Sequence, residues 1–192
     1  GTTTVVGSLI DLAKGEEVAV AAAANEQSSF GADVIARISM AMSDPSGLDK
    51  LQRAVLGVLN RLLSEMVAKS GVSRNHIYEA TVVGNTCMHH LALGLVPASL
   101  GLAPFDAVTV GPVCVAAGAL GLAIHPMGRV YFLPNVRSFV GSDTVAVALA
   151  LNLHRRPGPV LAVDIGTNAE VVVGLHGRLK VASTAAGPAF EG

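Results

Sequence analysis

The sequence predicts an α/β chain built as two lobes that face a cleft, and three observations predict it. The chain is 51% hydrophobic and only 14% charged, with no Trp, a balance that suits a sheet covered by helices. Two glycine-and-hydroxyl turns, Gly1-Thr2-Thr3-Thr4 and Gly166-Thr167-Asn168, each adjoin strand-like runs. Between them Leu48, Leu51, Val55, Val58, Leu59, Leu62, Leu63, Met66 and Val67 recur at steps of three and four, the period of one long helix. A length of 192 residues accommodates one domain or two small lobes, and the repeated turn chemistry favours two.

In chain order, the turn at residues 1–4 leads into a strand over 5–11, a hairpin turn at Lys14-Gly15-Glu16 and a return strand over 18–24. After the polar run Asn25-Glu26-Gln27-Ser28-Ser29-Phe30-Gly31, a short helix is expected over 32–42, stopped by Asp44-Pro45-Ser46-Gly47. The long helix then occupies 48–69, with Lys50, Arg53, Arg61 and Glu65 on its other face and Lys69 and Gly71 closing it. A buried strand over 77–83 runs through Gly84-Asn85-Thr86 into a helix that reaches Leu93, with Asn85 or Thr86 able to cap its exposed amides. Residues 94–134 are punctuated by Gly and Pro, and 116–122 reads equally as helix or strand. Ser142 is placed to cap a helix over 143–153, ended by Arg155-Arg156-Pro157-Gly158. Strands over 160–164, 170–175 and 179–183 follow, separated by Gly166-Thr167-Asn168 and His176-Gly177. Both ends read as cut, so the first lobe is expected over 1–150 and the second, over 151–192, only as a beginning.

Composition excludes several function classes. A formal net charge of -1 without a basic stripe argues against a nucleic acid partner. Apolar stretches such as 113–124 fall short of the about 18 residues a membrane-spanning helix requires, and the first residues lack a basic leader region. Cys87 and Cys114 are the only cysteines and stand far apart, so this chain alone furnishes neither a zinc site nor the ligands of an iron-sulfur cluster. They are expected to be buried thiols in a reducing cytoplasm.

The strongest chemical signal is the run over 160–170, an apolar strand ending in Asp164, then Gly166-Thr167-Asn168 and a second strand opening on Ala169-Glu170. Glycine lets backbone amides approach phosphate oxygens, Thr167 and Asn168 donate hydrogen bonds to them, and Asp164 is placed to hold magnesium through water. An ordinary hairpin, whose Asp and Asn merely form the turn, gives the same spacing. What separates the two readings is the second copy of the chemistry at Gly1-Thr2-Thr3-Thr4-Val5-Val6.

This pairing resembles the two phosphate loops of the superfamily of acetate and sugar kinases, heat-shock chaperones and actin (ASKHA). Within it, the chain most resembles the carboxy-terminal domain of the reductive activators of corrinoid proteins. The segments that carry the resemblance are residues 1–5 and 25–38, Val83-Gly84-Asn85-Thr86-Cys87-Met88-His89-His90, Leu133-Pro134-Asn135-Val136, Phe139-Val140-Gly141-Ser142-Asp143, 164–170 and 183–192. The resemblance implies ribonuclease-H-like lobes of the actin and sugar-kinase fold with a nucleotide cleft between them, the second lobe incomplete. It implies ATP and magnesium as cofactors, clamped by Gly1, Thr2, Thr3, Thr4, Asp164, Gly166, Thr167 and Asn168, with Asp164 as the catalytic and metal-organising residue. Asn85 and Asp143 are further nucleotide-binding candidates. The implied activity is an ATPase that drives reduction of a corrinoid cobalt from the divalent to the monovalent state. The partner is a corrinoid protein of a methyltransferase system, and the electron donor is a two-iron two-sulfur cluster in an amino-terminal ferredoxin-like domain that this chain does not include. A homodimer is left open. Three departures stand out. The acid and apolar residue that precede the first turn in the family lie before Gly1, Ala169 replaces a usual Gly, and the adenosine-binding glycine segment lies beyond Gly192, so this piece alone is expected to be inactive.

Several candidates carry a plainer reading beside the functional one. Asp143 in a first helical turn is favourable through the helix dipole alone, yet it is also placed to orient a water or metal in the cleft. Asn85 and Thr86 lie at a strand end where ligands of open α/β sheets collect, and a helix cap explains them as well. His89 and His90 point about 100° apart on a helix and do not readily share a metal, so core packing competes with a partner-facing role. Asn25, Gln27 and Asp33 enter through the resemblance, and Glu191 either reaches the cleft or is a solvated acid. Two rival functions remain: a small-molecule kinase of the same superfamily, which needs a base beside an acceptor hydroxyl, and a non-enzymatic actin-like nucleotide-binding module.

Overall fold

The computed structural model describes residues 1–186. The expected turn at Gly187-Pro188 and the expected reach of Glu191 lie outside them.

β1 (Thr4–Asp11) and β2 (Glu16–Ala24) form an antiparallel hairpin with Val5 opposite Ala23, turned by Gly15 at φ 72°. Its inner face, with Val5 and Ala21 buried, rests on the long helix. The polar segment after β2 folds as a 3-10 turn over Glu26–Ser29, capped by Asn25. α1 (Val34–Ser43) begins at Asp33, whose carboxylate accepts the Ala36 N–H at 2.8 Å. α2 (Gly47–Ser70) ends on left-handed Gly71 and buries Leu51, Val58 and Leu62 to 1% exposure or less. Each such side chain contributes about 1.5–3 kcal/mol of burial free energy, which makes α2 the spine of the first lobe.

A second sheet, in the order β3-β5-β4, lies on the far side of that core. β3 (Glu79–Val82) runs parallel to β5 (Arg129–Phe132), and β4 (Val113–Ala116) runs antiparallel to it. Val130 and Phe132 of the central strand are each 1% exposed. α3 (Thr86–Leu93) follows β3, and α4 (Ala117–Leu120) is a single turn after β4. α5 (Ser142–Ala150) leads to the third sheet, the antiparallel meander β6 (Val160–Ile165), β7 (Asn168–Leu175) and β8 (Arg178–Ala185). His176 and Gly177, both left-handed at φ 51° and 75°, make the tight β7–β8 turn whose twist matches paired strands. Among the described residues β1 pairs only with β2, and β3 only with β5.

Four expectations are corrected. The strand over 77–83 is a half-buried edge strand, because only alternate side chains, Ala80 and Val82, face the core. The ambiguous 116–122 stretch contains the last residue of β4, then α4, closed by left-handed Gly121. Cys87 is buried, and burial pushes its thiol up to about 12, but Cys114 is exposed on β4. Ser142 does not cap α5, which ends at Ala150 rather than 153; its hydroxyl is engaged with Gly84, donating to the carbonyl at 3.0 Å and lying 3.1 Å from the amide.

The cap position is Gly141, and its glycine is required by space. A Cβ there would lie 2.4 Å from both the Asn85 Cα and the Gly84 carbonyl oxygen. Gly141→Ala is therefore expected to push α5 off the β3–α3 loop and to lower stability by about 1–3 kcal/mol, read as a drop in the urea midpoint. An unchanged midpoint would show that the close approach is not needed.

Candidate functional site

The turn before β1, the β3–α3 loop, the start of α5 and the β6–β7 turn converge on one small cavity of about 110 Å³. Its lining is Gly1, Thr2, Asn85, Asp143, Asp164, Gly166, Thr167, Asn168 and Glu170. Two of the expected site residues are not in that lining. Thr3 reaches across instead, its hydroxyl 3.0 Å from that of Thr167, and Thr4 is the first, exposed residue of β1.

Each wall has a local cause. Asn85 caps α3 by accepting the Met88 N–H at 2.9 Å, and its amide donates to the Thr2 hydroxyl at 2.8 Å, so the capping and cleft readings hold together. Asp143 stands in the first turn of α5 and accepts the Thr144 N–H at 2.8 Å. Asp164 and Glu170 are direct partners across the β6–β7 ladder, which places both carboxylates beside one turn. Glu170 is 8% exposed and accepts from the Ser183 hydroxyl at 2.9 Å. Ala169 is buried in β7 with no left-handed backbone, so the missing glycine costs the turn nothing conformationally.

Behind the first turn, Asn25 donates through Nδ2 to the Gly1 carbonyl at 2.9 Å and through its backbone N–H to the Thr3 carbonyl at 2.7 Å. Gln27 donates to the Leu51 carbonyl of α2 at 2.8 Å. These two residues hold the turn from inside. Asp33 caps α1 on the surface and takes no part.

The histidine pair belongs to the core. His90 Nε2 accepts the Val108 N–H at 3.1 Å, and Nδ1 lies 2.7 Å from the Thr86 carbonyl, an arrangement that needs the neutral ring. Burial pushes its basicity down. His89 packs edge-on against Phe132 at 5.1 Å, and burial together with His90 lowers it to about 4.

The electrostatics of the cavity are acidic. Burial raises Asp143 above the ordinary carboxylate range, and the charge of Asp164 pushes the same way. Glu170 is raised by burial and by Asp143 and Asp164, with the Ser183 hydrogen bond opposing. Hydroxyls, side-chain amides and glycine turns suit phosphate oxygens, and the carboxylates suit a hard divalent cation. The described residues contain no cluster of three His, Cys, Asp or Glu able to cage a metal directly. Pockets that take a whole drug-sized ligand measure about 300–1,000 Å³, and this cavity, at about 110 Å³, is of the size of a single small group such as a phosphate. Glu170 is the lining residue absent from the expected site. The symmetric spacing of 164 and 170 about the turn was the signal that places it opposite Asp164.

Asp143 and Glu170 bind protons more tightly folded than unfolded, so stability falls as pH rises from their ordinary values of 3.8 and 4.5 through the raised ones. Asp143→Asn and Glu170→Gln are each expected to raise the melting temperature at pH 7 without divalent cations, and to lose that advantage near pH 4. A melting difference that does not change with pH would count against the mutual repulsion. Because the comparison is between variant and parent, the opposite contribution of the histidines cancels.

No helix among the described residues is long and apolar enough to cross a membrane. The family described as RACo middle region matches residues 1–156, and that described as the C-terminal ASKHA domain of RACo matches 158–192. The chain is 39% identical over its whole length to the corrinoid activation enzyme RamQ of Eubacterium limosum, covering 32% of that protein. Over 59 residues, 31% of this chain and 11% of the relative, it is 41% identical to a Co(II) methylated amine-specific corrinoid protein reductase of Methanosarcina barkeri. The solved structure of a reductive activator for a corrinoid, iron-sulfur protein superposes over the whole chain with a TM-score of 0.97 at 39% identity, and the chain spans 30% of it. With an ASKHA-like fold, a match over residues 1–156 and full-length similarity to corrinoid activation enzymes, the chain belongs to the family of reductive activators of corrinoid proteins.

Proposed function

We propose that the protein containing this chain couples ATP to the reduction of a corrinoid protein's cobalt from the divalent to the monovalent state, and that this chain supplies the phosphate end of the ATP site. The observation that carries the reading is the cavity in which two glycine-and-hydroxyl turns, whose touching residues Thr3 and Thr167 stand 164 positions apart in sequence, meet Asp143, Asp164 and Glu170. The relatives' names, a corrinoid activation enzyme and a corrinoid protein reductase, support the reaction class. The domain division goes with it: residues 1–150 form a first lobe carrying one turn, and 151–192 contribute the other from a second lobe.

Gly1, Thr2, Gly166, Thr167 and Asn168 offer donors to phosphate oxygens, with Thr3 and Thr4 shaping the first turn. Asp164, near the end of β6, would orient the water shell of magnesium, and Asp143 and Glu170, which line the same cavity, would add negative charge around that cation. Asn85 keeps the Thr2 hydroxyl in place. When bound, magnesium-ATP supplies the phosphoryl-transfer free energy that an uphill one-electron reduction needs. The two turns would contact ATP and its hydrolysis products differently, and only such differential contact would shift the relation of the lobes. The electron comes from an iron-sulfur cluster in another domain, since the two cysteines here, one buried and one exposed, are not a ligand set. The partner is a corrinoid protein of a methyltransferase system, met in the cytoplasm.

The test is an anaerobic absorbance assay on the complete protein with a corrinoid protein and a low-potential reductant, with and without magnesium-ATP. ATP-dependent appearance of the monovalent cobalt spectrum is expected, slowed about 100-fold or more by Asp164→Ala. Reduction that proceeds equally without ATP would sink the coupling, and nucleotide binding that persisted alongside it would move the reading to a kinase of the same superfamily.

A further inference from the structure

We infer that Arg37, which lies outside the cavity, is a positioning residue for the first phosphate turn: its guanidinium fixes the Thr2–Thr3 peptide from behind and sets the affinity for the phosphate chain. This rests on the nucleotide reading above and deepens it.

Arg37 is 0% exposed. Its hydrogen-bond partners among the described residues are neutral: Nη2 donates to the Thr2 carbonyl at 2.7 Å, Nε to the Gly31 carbonyl at 2.9 Å, and Nη1 to Gln27 Oε1 at 3.3 Å and to Met88 Sδ at 3.0 Å. Among the described residues no carboxylate comes within ion-pair distance; burial opposes the charge, with Cys87 and then Asp33 favouring it. Burying a charge without a counter-ion costs several kcal/mol, so tying α1 to the core is poorly served by such a group when an apolar side chain of similar volume would do it more cheaply.

The geometry of the peptide gives the charge a use. In a trans peptide the carbonyl and the following N–H point in opposite directions. The Thr2 carbonyl is drawn to Arg37, while Asn25 draws the carbonyls of Gly1 and Thr3. With three successive carbonyls engaged from behind, the amides that follow them are turned away from the buried cluster. Thr2 is itself both a cavity-lining residue and 7% exposed, so the buried cation stands one residue behind the phosphate site. There a positive charge with neutral partners stabilises an anion more than it would in water. A lysine retains the charge but cannot hold the Thr2 and Gly31 carbonyls with one planar fork.

The experiment compares the complete wild-type protein with R37M and R37K, measuring displacement of a fluorescent ATP analogue by ATP, ADP and adenosine, with folding checked by circular dichroism. The expected result is that R37M weakens ATP and ADP about tenfold while adenosine affinity is unchanged, and that R37K shows a smaller loss of the same kind. Because R37K keeps the charge, it remains informative if R37M does not fold. Equal weakening of adenosine and ATP, or no change in their affinity ratio in a folded variant, would overturn the inference and leave the nucleotide reading standing. Failure of the wild type to bind ATP would overturn both.

Discussion

Buried polar groups must find partners, and the first lobe is arranged around that requirement. Asn25, Gln27 and Arg37 are each 1% exposed or less, and a single unpaired group at that depth costs about 1–3 kcal/mol. Their partners are drawn from everywhere nearby: the carbonyls of residues 1–3, Gly31 just past the 3-10 turn, Leu51 near the start of α2 and Met88 in α3. The network explains why a glycine-bearing turn, which has the most conformational freedom to lose, is held to one shape. It also explains why the polar run at 25–31 sits inside the protein although its composition reads as surface.

The second constraint is steric. Gly141 lets the start of α5 touch the backbone of Gly84 and Asn85, and Ser142 seals the contact with its hydroxyl. That approach brings Asp143 to the same cavity as Thr2, while the β6–β7 ladder delivers Asp164 and Glu170 as a cross-strand pair. Four elements therefore each contribute one wall, and none forms the site alone. The like charges so assembled are unfavourable to one another, a local cost of the kind that accumulates where function and not stability sets the arrangement.

Much of this was legible in the sequence where a residue's role is local. The three-and-four spacing over 48–69 marks α2 because a helix with one buried face needs it, and Gly71 and Gly15 mark turns because left-handed backbone favours glycine. The two glycine-and-hydroxyl turns were visible because each keeps its glycine and hydroxyl residues adjacent in sequence. What was not legible depends on the partner and not on the residue. Arg37 carries a charge on a ten-residue helix and reads as solvated, and only the distant Thr2 carbonyl reveals otherwise. Ser142 has the chemistry of a cap, but Gly84 competes for its hydroxyl. β4 and α4, four residues each, are too short for either period to declare itself.

The contact between Thr3 and Thr167 joins the two turns through neutral hydroxyls 3.0 Å apart. A neutral hydrogen bond of this kind has a net worth of about 1 kcal/mol, a factor of roughly five in population. A latch that weak parts often by thermal motion alone, so the two turns are joined here without being locked. On the proposed reading each hydroxyl would have phosphate oxygens of higher charge to turn to, and the two turns would exchange a bond to each other for bonds to the ligand between them.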